Sequence, residues 1–356
     1  WFGLISYPMY LWHWPLISMR RIVTLEAPST LYCAGAFVAC TVLAWFTTKL
    51  IENPLRFGEY GKIKTIGLFL VMMALGGIGY VLFTKQGLLK RFPKEIQELQ
   101  KIMLDASKRN IGFYSKENGW NPCRVHKEPF KLKECKERNI INPEKKTIAI
   151  WGDSHAAALI PGFKKYYGGN FNIMQRTCTE CSAVAIKRKT SERVFINNNK
   201  LIFNDILSER PDYVVIANRW ANYRKEFNIL KDIVDKLRER NINNIIIVGD
   251  VPNWKEKLPK VMARYWIKNN RFPKKWKKLD KRTDDYGVDN RLSELADNLG
   301  VEYISSIKFL CNDEGCFTSA TDNPEDILYF DRGHLTNVGS EYLVGKMKEQ
   351  LDKSLR

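Results

Sequence analysis

Residues 151–155 read WGDSH and follow the apolar run KTIAI at 146–150. A serine between an acid and a histidine, set where a buried strand ends, can cap a helix or attack a carbonyl. Its hydroxyl is a poor nucleophile until a base takes the proton, so the second reading needs an imidazole from elsewhere. The chain has only four histidines. His13 falls in a long apolar stretch, and His126 lies close to Cys123 in a polar one. His155 adjoins the serine, where it can line a pocket but is expected to point away from the hydroxyl. That leaves His334, in YFDRGHLTNVGS at 329–340, with Asp331 three residues ahead of it. A turn of that spacing can bring the carboxylate to the imidazole nitrogen facing away from the serine, fixing the tautomer and stabilising the imidazolium. A lone D-x-x-H is equally a surface turn; joined to G-D-S after a strand it points to Ser154, His334 and Asp331 as a catalytic triad.

Such a triad needs elements that bring distant segments together. Apolar runs occur at 147–151, 171–175, 213–217 (YVVIA), 244–249 (NIIIVG) and 301–304. Helical patterns lie between them, near 155–167, 198–209, 225–240 and 286–299, with a last one at 338–353. Short continuous apolar strands separated by helices predict an α/β fold, a parallel sheet covered on both faces in a three-layer α/β/α sandwich. Reactive groups then collect at the carboxyl ends of the strands. Ser154 opens a helix there, whose first unpaired amides can stabilise a developing oxyanion. Gly152 permits a tight turn, and Asp153 favours the positive helix end.

Upstream, 1–19, 27–48 and 65–84 each carry roughly the ~20 apolar residues that cross a bilayer. The chain opens on Trp1 rather than Met, so further sequence is expected ahead of it. Basic residues in the 49–64 loop place that loop in the cytoplasm, and the span at 65–84 then carries the rest outward. The chain holds 57 basic and 39 acidic residues. Six and three of these lie in 1–84, so the remainder keeps a net +15. Such a surface attracts anions. Outside the cytoplasm these are lipid headgroups or anionic glycans, not nucleic acid. The run KNNRFPKKWKKLDKR at 268–282 is either a solvated insertion or part of such a binding face. Cys33 and Cys40 fall within a span. Cys123/Cys135, Cys178/Cys181 and Cys311/Cys316 form close pairs that predict disulfides in an oxidising compartment. A redox role for the single C-x-x-C is the alternative; a metal site is not expected.

GDSH at 152–155 and DRGHL at 331–335 resemble the first and last sequence blocks of the SGNH (GDSL-type) esterase and acyltransferase superfamily. The resemblance spans 146–356 and implies its flavodoxin-like sheet. The family's middle blocks supply a glycine and an asparagine to the oxyanion hole. Here ANRWANY at 217–223 stands where G-x-N-D is expected, and no glycine matches in MQRTCTECSA at 174–183. Asn218 is the nearest candidate donor, with a structural role the alternative; Arg219 and Trp220 are candidate pocket residues beside it. SYPMYLWHWP at 6–15 and LIENPLR at 50–56 resemble the last helices of the acyltransferase family 3 membrane domain.

The expected domains are therefore 1–56, the end of that membrane domain; 57–84, a loop and further span; 85–145, a periplasmic linker; and 146–356, the SGNH domain. Fused proteins of this kind are bacterial O-acetyltransferases of the inner membrane that modify surface polysaccharide such as lipopolysaccharide O-antigen. The resemblance implies acetyl-CoA as ultimate donor, delivered by the upstream acyltransferase domain, with no cofactor held by the chain itself. The membrane domain's own histidine belongs to an earlier helix, so His13 inherits no role. A periplasmic carbohydrate acetylesterase with the same triad, and a non-catalytic glycan-binding module, remain open alternatives.

Overall fold

The computed structural model describes residues 2–24, 28–57, 59–85, 87–107, 124–125, 133, 135, 142–178, 180–187, 193–277 and 285–356. Cys123 and His126 lie outside them. The chain forms two compact units, Trp1–Pro93 and Lys94–Arg356.

In the first unit, α1 (Phe2–Thr24) packs against α2 (Thr30–Thr47), with Trp12 Nε1 donating to Thr47 Oγ1 and Tyr32 Oη to the Leu16 carbonyl. A π-helical turn and α3 (Asn53–Phe57) continue α2, and α4 (Gly61–Thr84) follows. Among the described residues two helical stretches are long and apolar enough to cross a membrane, Thr30–Phe57 and Gly61–Thr84. The helix expected from the first span is present, but it is not among these two. Pro8, His13, Pro15 and its tryptophans and tyrosines make it less hydrophobic than the others.

The second unit begins with α5 (Lys94–Ser107), ahead of strand β1 (Arg124–Val125). The run KTIAIWG then builds β2 (Thr147–Gly152), whose Ile148, Ala149, Ile150 and Trp151 are fully buried. Helix α6 (Ser154–Tyr167) leads to β3 (Asn172–Cys178), and α7 (Arg193–Glu209) to β4 (Tyr213–Ala217). Helix α8 (Ile229–Arg238) leads to β5 (Asn244–Val248). After α9 (Leu258–Asn269), strand β6 (Lys275–Trp276) and α10 (Asp285–Leu299), β7 (Glu302–Ile304) completes the main sheet. Its order is β1-β3-β2-β4-β5-β7, parallel throughout. This is the expected three-layer sheet, with the two-residue β1 added at its edge. Short α11 (Ser306–Leu310) precedes β8 (Cys311–Asn312) and β9 (Gly315–Phe317), which pair with β6 in a small antiparallel sheet. The chain closes on α12 (Asn337–Ser354).

Two features of this frame set the site. First, Gly152 registers with Thr177 on one side and Ala217 on the other, so β2, β3 and β4 end level. Second, α6 and α12 pack in direct contact at Gly162, whose amide donates to Ser340 Oγ at 3.0 Å. A Cβ at Gly162 would lie 2.5 Å from the Ser340 carbonyl oxygen, so only glycine allows the approach. The helix opened by Ser154 is thereby fixed against the helix that follows His334.

Among the described residues two disulfides join cysteines that are both described, Cys178–Cys181 and Cys311–Cys316. The C-x-x-C is therefore an oxidised pair. Cys135 is also disulfide-bonded and buried beside Arg176, whose guanidinium pairs with Asp205 at 2.6 Å in a fully buried contact.

Candidate active site

Gly152 ends β2 with φ +148°, and a Cβ there would sit 1.7 Å from the Ala217 carbonyl oxygen. Backbone in that conformation and that close to β4 needs glycine. Asp153 caps the helix that follows, its Oδ1 accepting from the His155 amide at 2.8 Å. Ser154 thus stands at the first turn of α6, on the level edge of the sheet.

The partner comes from the loop ahead of α12. His334 Nε2 lies 2.8 Å from Ser154 Oγ, and its Nδ1 lies 2.7 Å from Asp331 Oδ2. With Nδ1–H donating to the carboxylate, Nε2 is left as the acceptor facing the hydroxyl. Asp331 Oδ1 also accepts the amides of Gly333 and His334, at 2.9 and 2.8 Å. Burial pushes this carboxyl upward, but the His334 hydrogen bond and charge, with the two amides, outweigh it and hold the carboxyl well below the usual carboxylate range. The turn 331–334 is a self-contained carboxylate–imidazole unit. Phe330 lies parallel to the imidazole, ring centroids 5.6 Å apart, and stiffens it.

His155 lines the site, while His334 is the imidazole at the Ser154 hydroxyl. Its ring stands 4.7 Å from that of His334, and its Nε2 is buried with no hydrogen-bond partner. Burial, then the charges of His334 and Arg219, depress its pKa well below the ordinary histidine value. It serves as a neutral wall beside the second imidazole.

Asn218 directly follows β4, nearly fully buried. Its Oδ1 accepts from the Ala183 amide at 3.0 Å, which assigns oxygen and nitrogen, and leaves Nδ2 buried without a partner. An unsatisfied donor one residue beyond the Ala217 that registers with Gly152 suits a charge that develops only during reaction. Ala183 is itself held behind the Cys178–Cys181 loop, its carbonyl and that of Ser182 accepting from Asn199 Nδ2.

The next three residues are clamped by acids. Asp153 Oδ2 accepts the Arg219 amide at 2.9 Å; Asp250 accepts those of Trp220 and Ala221 at 2.9 and 2.8 Å. Burial raises the Asp153 carboxyl despite those amides and the nearby cations. It raises Asp250 further, with Asp285 and Asp153 adding to the effect. The Trp220 side chain is not a pocket residue. It is fully buried in the core beside Phe227, with Nε1 donating to the Val248 carbonyl. Arg219 instead reaches sideways, Nη2 to Asn253 Oδ1 at 2.9 Å. Asp250, Asn253 and Asp285 were not expected from the sequence. Asp250 follows β5 in GDVPNW, at a strand's carboxyl end, the same signal that marks Asp153.

Among the described residues no cluster suits a metal ion. The arrangement can generate a serine alkoxide by proton transfer to His334, hold the imidazolium against Asp331, and meet an oxyanion with donors at 154 and 218.

Comparison with protein families matches residues 122–349 to the SGNH domain (fused to AT3 domains). The periplasmic domain of the lipopolysaccharide acetyltransferase of Salmonella ser. Paratyphi A is structurally similar, with TM-score 0.59 and 26% identity over 67% of this chain and 95% of that one. A protein described as an acylhydrolase, from Bacteroides fragilis, gives TM-score 0.40 at 12% identity over 63% and 95%. A carbohydrate acetylesterase from Sinorhizobium meliloti gives 0.38 at 12% over 59% and 99%. No curated protein matches.

Proposed function

The chain belongs to the family of SGNH domains fused to AT3 domains, and on that premise we propose that it is a membrane-bound O-acetyltransferase acting on bacterial surface polysaccharide. The observation that carries this reading is the unbroken hydrogen-bonded line Ser154–His334–Asp331. The similarity to a lipopolysaccharide acetyltransferase domain supports the acceptor class. The apolar helices Thr30–Phe57 and Gly61–Thr84 support anchorage in the inner membrane, and the disulfides support a periplasmic site.

Ser154 Oγ attacks an acetyl carbonyl as His334 takes the hydroxyl proton. The tetrahedral oxyanion is met by the Ser154 amide and Asn218 Nδ2. Collapse expels the donor's leaving group, which takes the proton from His334, and leaves acetyl-Ser154. A sugar hydroxyl, deprotonated by the same imidazole, attacks the ester; the acetyl group passes to the sugar and Ser154 regains its proton. Acetyl-CoA is the ultimate donor, through an AT3 domain of the same protein. Transfer outruns hydrolysis when the site holds the sugar hydroxyl against the ester and admits it before water.

The test compares polysaccharide acetyl content, by NMR, in cells carrying the whole protein as wild type or Ser154→Ala. Acetylation is expected with the first and absent with the second. Equal acetylation in both would refute the reading, whereas acetyl groups removed by the wild type would make the enzyme an esterase.

A further inference from the structure

Arg219 is a cation beside this site that the triad does not use, its charge felt by both Asp153 and His155. Its backbone is fixed, because its amide donates to Asp153 at 2.9 Å in the residue next to Ser154. Its side chain is fixed as well, through Nη2 to Asn253 Oδ1 at 2.9 Å. Asn253 is in turn anchored by its own amide to Asp285 Oδ2 at 2.9 Å. A Cβ built on Gly333 would lie 3.4 Å from Asn253 Oδ1 and 3.4 Å from His155 Cε1. The guanidinium therefore stands beside the residue that precedes His334, next to the ring packed on that histidine.

What holds the guanidinium is neutral. Among the described residues Arg219 makes no ion pair, whereas surface lysines such as Lys274 and Lys275 meet Asp322 and Glu314. Asp153, whose carboxyl feels the Arg219 charge, has both oxygens already accepting amides. A half-buried cation held without a direct ion pair has lost hydration, and an incoming anion would supply that contact. A guanidinium has five N–H donors in a planar fork that fits carboxylate and phosphate oxygens, and the amide of Asn253 occupies only one.

We propose that Arg219 reads the acceptor: it binds a carboxylate or phosphate on the saccharide and makes anionic glycans the acceptor class. The chain's net charge of +18 gathers such polymers at its surface. Arg219 then fixes the sugar so that one hydroxyl reaches acetyl-Ser154. This inference rests on the acyl-transfer reading above.

The test uses the full chain in detergent, charged with 4-nitrophenyl acetate and offered three oligosaccharides of equal length: neutral, uronate-bearing and phosphorylated. Nitrophenolate release reports acylation, and mass spectrometry reports acetylated saccharide. The wild type is expected to favour an anionic acceptor by about tenfold or more, the effect of one net charge-assisted contact. The two anionic arms show which anion is read. Arg219→Gln is expected to level the preference, and Arg219→Lys, which keeps the charge without the fork, to retain part of it. A wild type with no preference, or a preference that survives Arg219→Gln, overturns the proposal. So does a glutamine variant that loses nitrophenolate release along with the preference, since the arginine would then serve the oxyanion. Nitrophenolate release no faster in wild type than in Ser154→Ala removes the acyl-transfer reading, and this inference with it.

Discussion

On the proposed reading Asn218 has two separable tasks, and substitution can divide them. Its Oδ1 accepts the Ala183 amide, and its Nδ2 is a buried donor with no partner among the described residues, proposed to meet the oxyanion. Asn218→Ala removes both. Stranding the Ala183 amide in a fully buried place costs about 1–3 kcal/mol of stability. Losing one donor to the oxyanion lowers kcat about 10²–10³-fold, or roughly 3–4 kcal/mol in the barrier. Asn218→Asp keeps an oxygen for Ala183 and replaces the donor with an acceptor. It should fall as far in kcat while holding more of the melting temperature. The assay is nitrophenolate release from 4-nitrophenyl acetate at saturation, alongside thermal melts of all three proteins. If both variants keep kcat within roughly threefold of wild type, less than about 1 kcal/mol of barrier, Asn218 is a structural residue and the oxyanion assignment is wrong.

Gly162→Ala forces a methyl group against Ser340 and Val344. It should cost about 1–3 kcal/mol in denaturant unfolding, and lower kcat by moving α6 against α12 without touching the pocket. Asp205→Ala leaves the buried Arg176 guanidinium without its carboxylate and should cost about 3–5 kcal/mol, read as a lower midpoint in urea. Because the folded state depresses the Asp331 pKa, its ionised form stabilises the fold above the unfolded value, and that contribution disappears as pH falls from about 4 toward the folded value. The stability gap between wild type and Asp331→Asn should therefore be flat near neutrality and close in acid; a gap that widens on acidification would contradict the depressed value.

The centre of the sheet was legible because β2, β4 and β5 are buried on both faces and so read as unbroken apolar runs. That Ser154, His334 and Asp331 meet was legible because so few histidines compete for the place. Helix α9 was not: only Leu258, Pro259, Val261 and Met262 are buried, one turn's worth of apolar signal ahead of a basic run. The small antiparallel sheet escaped for a related reason, its strands being two or three residues long and made by long-range pairing. The strand-end position of Asp250 was readable, but what it holds is visible only in three dimensions. Asp250 serves residues 220 and 221, thirty positions earlier, through backbone amides that carry no sequence signal. Trp220 misleads for the same reason: the loop's register, not its composition, turns the indole into the core and the arginine outward.

The turn at 331–334 is complete in itself, and so is the strand end that presents the serine, yet neither is reactive alone. Ser154 and His334 are 180 positions apart and meet only once the C-terminal helix has docked. On the proposed chemistry, a chain whose last segment has yet to dock is silent toward acetyl esters, and the first turnover reports that this segment has found its place.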